Sequence, residues 1–126
     1  MGINKEKRNA VYEKFNGRCA YCGEHITKKQ MQVDHIIPQR NFSTVHNCLI
    51  HRAKKVDYGL DDMRNLNPSC RFCNNWKKTF SLETFRSEIE AQVERARRYS
   101  RNFRMAEKYG LVVSCEGSIK FYFEQL

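Results

Sequence analysis

The sequence predicts an α+β chain, and three observations carry that prediction. A β-branched run, Gln32-Val33-Asp34-His35-Ile36-Ile37, stops at Pro38 and reads as a strand. Apolar residues recur at helical spacing near both ends of the chain. Two Cys-x-x-Cys pairs, Cys19/Cys22 and Cys70/Cys73, bracket the strand and mark where the chain folds back on itself. At 126 residues the chain is one domain of common size. We expect a single domain over 1–126, with a core at 19–80 and an appendage at 81–126.

The elements follow in order. Residues 5–15 form a short amphipathic helix, with Val11 and Phe15 four apart, ended by Asn16-Gly17. Residues 18–25 are a turn-rich knuckle around the first cysteine pair. The strand at 32–37 follows, then residues 39–64, which show no clean period. Leu66-Asn67-Pro68 reads as a short return strand, and a helix starts at Cys73. Ser81 is an N-cap for a long C-terminal helix, with Leu82, Phe85, Ile89, Val93, Ala96, Phe103 and Ala106 on its apolar face. Leu111–Val113 and Ile119–Phe123, separated by Glu116-Gly117, predict a terminal β-hairpin.

Composition narrows the function. Only six Gly and two Pro, with 12% aromatic residues, exclude collagen-like and acidic disordered classes. No run of about 18 apolar residues is present, so no membrane span is expected. The N-terminal residues lack an apolar stretch of the secretory kind, so a cytoplasmic protein is expected. The net charge of +9 points to an anionic partner, with nucleic acid foremost. The excess is uneven: residues 1–81 hold 15 Lys and Arg against 7 Asp and Glu, whereas residues 82–126 hold 8 against 7. The later basic run, Arg95 to Lys108, also suits a solvated helix face.

A Cys-x-x-Cys knuckle aims two thiolates at one point, and two knuckles complete a tetrahedral site of the kind Zn²⁺ prefers. Cys19, Cys22, Cys70 and Cys73 are therefore the expected zinc ligands. A secreted disulfide framework and a thioredoxin-like redox motif are the alternatives; the first wants a signal peptide and the second a single pair in a βαβ setting. Four thiolates leave no open position, so this zinc is structural and replaces core that a small domain lacks. Cys48 and Cys115 stand alone and read as small buried or inert thiols.

Val33-Asp34-His35-Ile36-Ile37-Pro38, then Asn65-Leu66, then Cys70-Arg71-Phe72-Cys73-Asn74-Asn75-Trp76-Lys77 together resemble the HNH endonuclease family. The resemblance covers residues 19–80. It implies a ββα-metal core braced by a four-cysteine zinc site, and metal-dependent hydrolysis of phosphodiester bonds in double-stranded DNA. It implies His35 as the general base, since an imidazole can take a proton from water near neutral pH. Asp34 and Asn74 would hold one catalytic Mg²⁺ or Mn²⁺, as oxygen ligands suit those ions. The side-chain carbonyl of Asn65 would orient the His35 ring. The C-terminal part is similar, more loosely, to small phage-encoded members, which by analogy alone suggests DNA-packaging proteins as partners.

The chain departs from that pattern at 39–64, a long connection carrying His46, Cys48 and His51. Those histidines read as packing or surface residues, or as extra substrate contacts. Lys78 stands where some members carry a further histidine, so a phosphate contact is expected of it. Arg71, Lys77 and Trp76 are further candidate DNA contacts, though for Trp76 a place in the core is the favoured reading. The rival reading is a non-catalytic zinc-knuckle protein that binds DNA or RNA, for which the cysteines and the charge would suffice.

Overall fold

The structure, a computed structural model, describes residues 3–38, 42–45, 48–51, 58–115 and 117–126. It is a mixed α and β chain whose strands form two antiparallel two-stranded sheets. Strand β1 (Gln32–His35) is joined to its partner by the long connection. Within that connection β2 (Phe42–Val45) pairs with β3 (Cys48–His51), setting Phe42 opposite His51. The partner of β1 is β4 (Leu66–Ser69), entered through a 3₁₀ turn at Met63–Asn65. Asp34 lies opposite Asn67 and His35 opposite Leu66. Pro68 donates nothing to the ladder, which a two-stranded sheet tolerates because every strand in it is an edge. Cys70 ends β4 and caps helix α2 (Arg71–Lys77), its sulfur accepting from the Cys73 amide at 3.3 Å.

Helix α1 (Lys5–Glu13) begins at Asn4, whose side chain accepts from the Lys7 amide. After its C-cap, Lys14, the chain turns away through Asn16 and Gly17, both in the left-handed region. The buried residue of α1 is Val11. Val11, Met31, Leu66 and Phe121, each at most 1% exposed, belong to the apolar core of this part.

The chain divides into two compact units, residues 1–82 with 120–126 and residues 83–119. The expected appendage is thus not one piece, because residues 120–126 pack with the first unit. The Tyr122 and Phe123 amides donate to the carbonyls of Tyr21 and Ala20 at 3.0 and 2.9 Å. Phe121 meets the Tyr21 ring edge-on at 5.2 Å, and Phe123 lies 6.3 Å from Phe15.

This corrects the expected terminal hairpin. No strand occurs among the described residues of 111–123, and Tyr122–Gln125 form a 3₁₀ turn. The alternation of Phe121 and Phe123 is real, but the aromatic cluster over the first knuckle uses it instead of a second strand.

The second unit corrects another expectation. The single long helix is three: α3 (Leu82–Glu90), α4 (Gln92–Tyr99) and α5 (Arg101–Lys108). Ser100 leaves helical geometry (φ −117°, ψ 112°), and its hydroxyl accepts from the Phe103 amide at 3.1 Å. A serine that can cap the next helix competes with continuing the present one. Two cations of the basic run are paired with acids within the unit. Arg95 meets Glu88, and Arg97 meets both Glu94 and Glu107. No helix among the described residues is long and apolar enough to cross a membrane.

Candidate active site and metal centre

The four expected cysteines converge. Their sulfurs all lie within 4.8 Å of one another, with Cys22 and Cys70 at 3.8 Å. Tetrahedral zinc with Zn–S bonds of about 2.3 Å requires sulfur–sulfur edges of about 3.8 Å. The cluster fits that ion.

Local backbone explains the convergence. The Gly23 amide donates to the Cys19 carbonyl, and Cys19 donates to the Glu24 carbonyl, closing the first knuckle. Gly23 sits at φ +78°, where an L side chain is strained. The Ala20 amide donates to the Pro68 carbonyl at 2.8 Å, which ties this knuckle to the strand that delivers Cys70. A bond from Cys73 draws the Cys19 thiol down to about 4 and holds the Cys73 thiol up. Burial pushes Cys22 up to about 12. Such crowded thiols do not all ionise unaided, so four thiolates call for a cation between them.

Asp34 and His35 leave β1 on opposite faces, as neighbours on a strand must. Asp34 points inward and is 3% exposed. One oxygen accepts from the Tyr21 hydroxyl, and the Lys77 ammonium lies 3.2 and 3.1 Å from its two oxygens. Lys77 also donates to the His35 carbonyl at 2.9 Å. Burial pushes the Asp34 carboxyl up and the Lys77 ammonium down, against their mutual attraction.

His35 faces outward with its side chain 31% exposed, and its Nε2 lies 2.8 Å from an Asp61 carboxylate oxygen. An ionised carboxylate only accepts, so neutral imidazole carries its proton on Nε2 and presents Nδ1 as a base. No motif in the sequence pointed to Asp61. It lies in the stretch without periodicity, and the one available signal was the acidic pair Asp61-Asp62 just before Asn65.

Asn65 differs from its expected role. Its carbonyl oxygen accepts from the Ile37 amide at 2.8 Å, so it does not hold the His35 ring. Its amide group donates to the carbonyls of Ile37 and Leu60 at 3.1 and 2.8 Å. Asn65 therefore stitches the exit of β1 to the turn carrying Asp61, and acts on the imidazole through that turn. The turn is fixed from α1 as well, because the Lys7 ammonium donates to the Asp61 carbonyl.

Asn74 is half-buried on α2. It lies one helical turn before Lys77, on the same side of the helix. Lys77 itself corrects the expectation of a DNA contact. It is 0% exposed and committed to Asp34. Arg71 and Lys78 are exposed, as a phosphate contact requires. Trp76, expected in the core, is 44% exposed, and Cys115 is exposed rather than buried. His46 lies outside the described residues, as do the side chains of Cys48 and His51.

A divalent ion on Asp34 and Asn74 does not fit this arrangement. Asp34 is enclosed, its charge is already balanced by Lys77, and a second cation would stand against that ammonium. The carboxylate open beside the imidazole is Asp61, at 43% side-chain exposure.

No protein-family model matches the chain, and no curated protein matches it. Among solved structures the chain is similar to the Type II-C Cas9 enzyme from Actinomyces naeslundii, at 20% identity and a TM-score of 0.47. The similarity covers 81% of this chain and 10% of that one, so the chain spans about a tenth of the length of the enzyme it matches.

Proposed function

We propose that the chain is an HNH-type endonuclease that hydrolyses phosphodiester bonds in DNA, with His35 as general base. The observation that carries this reading is the His35–Asp61 pair, an accessible imidazole with its tautomer set by a carboxylate. It stands at the end of β1, which pairs with β4, and the four clustered cysteines lie on the segments before β1 and after β4. Nδ1 takes a proton from water as the water oxygen bonds to phosphorus and the P–O3′ bond breaks. Solvent returns a proton to the leaving oxygen, giving 5′-phosphate and 3′-hydroxyl ends. Asp61 stabilises the imidazolium so formed. Zinc on the four cysteines would supply no chemistry to the reaction, only the fixed approach of β4 and α2.

The test is supercoiled plasmid incubated with Mg²⁺, Mn²⁺ or EDTA. The wild type should nick or cut it, His35→Ala should lose the activity, and Asp61→Ala should lower the rate constant by about 10²-fold or more. Cleavage that survives His35→Ala in a folded protein overturns the reading. The three ion conditions decide metal dependence independently of Asp34. The second reading, a non-catalytic DNA-binding module, draws on the closure of Asp34 by Lys77. DNA retained on the protein with no cleavage in any condition selects it.

A further inference from the structure

Helix α2 has two unlike faces. Cys73, Asn74 and Lys77 turn inward, toward the zinc ligands and β1. Arg71, Phe72, Asn75 and Trp76 turn to solvent. Phe72 is 72% exposed and Trp76 44% exposed. At four-residue spacing their side chains are neighbours on one stripe of the helix. Two large aromatics exposed side by side on so short a helix are costly unless something covers them.

The surroundings say what covers them. A groove of about 700 Å³ runs beside Phe72, and its lining includes Lys29, Arg71, His25 and Gln32. Among the described residues neither Lys29 nor Arg71 forms an ion pair, in contrast to Arg95 and Arg97 of the second unit. Glu24 is the one acid in the lining. An exposed aromatic with unpaired cations beside it, and a second aromatic one helical turn on, match a ligand made of flat rings joined by phosphates; they lie in residues 1–81, which hold most of the basic excess.

We propose that the outer face of α2 is a stacking platform for unpaired bases. Phe72 and Trp76 would take successive bases of a single-stranded stretch, while Arg71 and Lys29 carry its phosphates. Base–aromatic stacking needs a free π-face, which a base inside a duplex does not offer. The proposal deepens the nuclease reading and rests on it in treating the strand as a substrate. It implies that the enzyme selects frayed, looped or displaced strands over uninterrupted duplex.

Trp76 is the single tryptophan of the chain, so its fluorescence reports this face alone. The zinc-loaded full-length protein, carrying His35→Ala so that no cleavage intervenes, is titrated with an oligothymidylate of about a dozen nucleotides. Parallel titrations use the corresponding oligouridylate and a blunt duplex. The single strand should quench Trp76 and bind more tightly than the duplex. Phe72→Leu should weaken single-strand binding by about 5- to 150-fold while changing duplex binding less than twofold, and Phe72→Tyr should restore it. Zinc content measured on each variant confirms the fold. The uridylate has a 2′-hydroxyl and lacks the thymine methyl but offers the same free ring faces, so it should quench Trp76 as well.

Quenching that is absent, or a Phe72→Leu loss equal for duplex and single strand, overturns the proposal. A quench by peptides and not by nucleic acid overturns it as well. Because binding is read without cleavage, loss of the platform leaves the His35 reading intact. Conversely, a platform on a chain that cuts nothing removes the nuclease reading and keeps the binding site.

Discussion

Lys77→Met probes what the buried ion pair does. Methionine matches the length of the lysine stem and packs in apolar surroundings, but it removes the charge and the donors to Asp34 and the His35 carbonyl. Asp34, 3% exposed, is left an anion with the Tyr21 hydroxyl as its remaining close partner. Breaking a buried pair by removing one partner costs about 3–5 kcal/mol. In a domain whose whole stability is about 5–15 kcal/mol, that is a large fraction. The cost is the penalty for the orphaned carboxylate, not the worth of the pair, since burial opposes the charged form of both partners. Asp34→Asn added to Lys77→Met should therefore recover most of the loss, because the amide is neutral and still accepts from Tyr21.

The pH dependence carries a sign of its own. The Asp34 carboxyl is raised from 3.8, so folding favours its protonated form. That contribution is full below about 3.8 and disappears as pH rises through the folded value. Without Lys77 the folded value climbs further and the window widens upward. Inside it stability falls by up to about 1.4 kcal/mol for each pH unit. Urea unfolding of the zinc-loaded protein, followed by circular dichroism at pH 5.5 and 8, measures this. The single variant should lag the wild type more at pH 8 than at pH 5.5. A deficit under about 1 kcal/mol, or one independent of pH and not relieved by Asp34→Asn, refutes the reasoning.

Two other outcomes follow from the same geometry. Cys70→Ser removes a ligand and weakens the sulfur cap of α2, so zinc per chain by mass spectrometry and the melting temperature should fall together; unchanged zinc would refute the four-sulfur site. Gly23→Ala should cost about 1–2 kcal/mol in thermal or urea melts, since φ is +78° and a Cβ there would stand 3.0 Å from the Tyr122 ring. The added Tyr122→Ala should return only the steric part of that loss.

What was legible in the sequence was what short-range pattern encodes. The strand at 32–37, the cysteine frame and the N-terminal helix are all local signals, and Cys19 to Cys73 meet where their spacing implied. The misreadings share a cause. The alternation of Phe121 and Phe123 has the period of a strand, but period does not name the partner. A knuckle about 100 residues earlier in the chain took the place of a second strand. The apolar face from Leu82 to Ala106 has helical period throughout, and a serine hydroxyl broke it at Ser100, between α4 and α5. Lys77 looked like one of two surface lysines, because nothing in Trp-Lys-Lys marks which one turns inward; the carboxylate that draws it in lies 43 residues away. Asp61 was illegible for the same reason, since its meaning depends on the turn that Asn65 organises.

The arrangement around His35 concentrates order behind the imidazole. Its carbonyl is gripped by Lys77 from α2, and its ring by Asp61 from the turn before β4. That turn is held by Asn65 from within and by Lys7 from α1. Each grip is polar and directional, and together they come from α1, α2 and the turn before β4, where a larger domain would use apolar packing. A polar frame of this kind fixes an orientation at the cost of desolvation, whereas apolar burial would stabilise more and orient less. Asn65 matters to His35 for that reason without touching its ring. Its three side-chain bonds hold the Asp61 turn against the exit of β1, so their loss would free the carboxylate and the imidazole together.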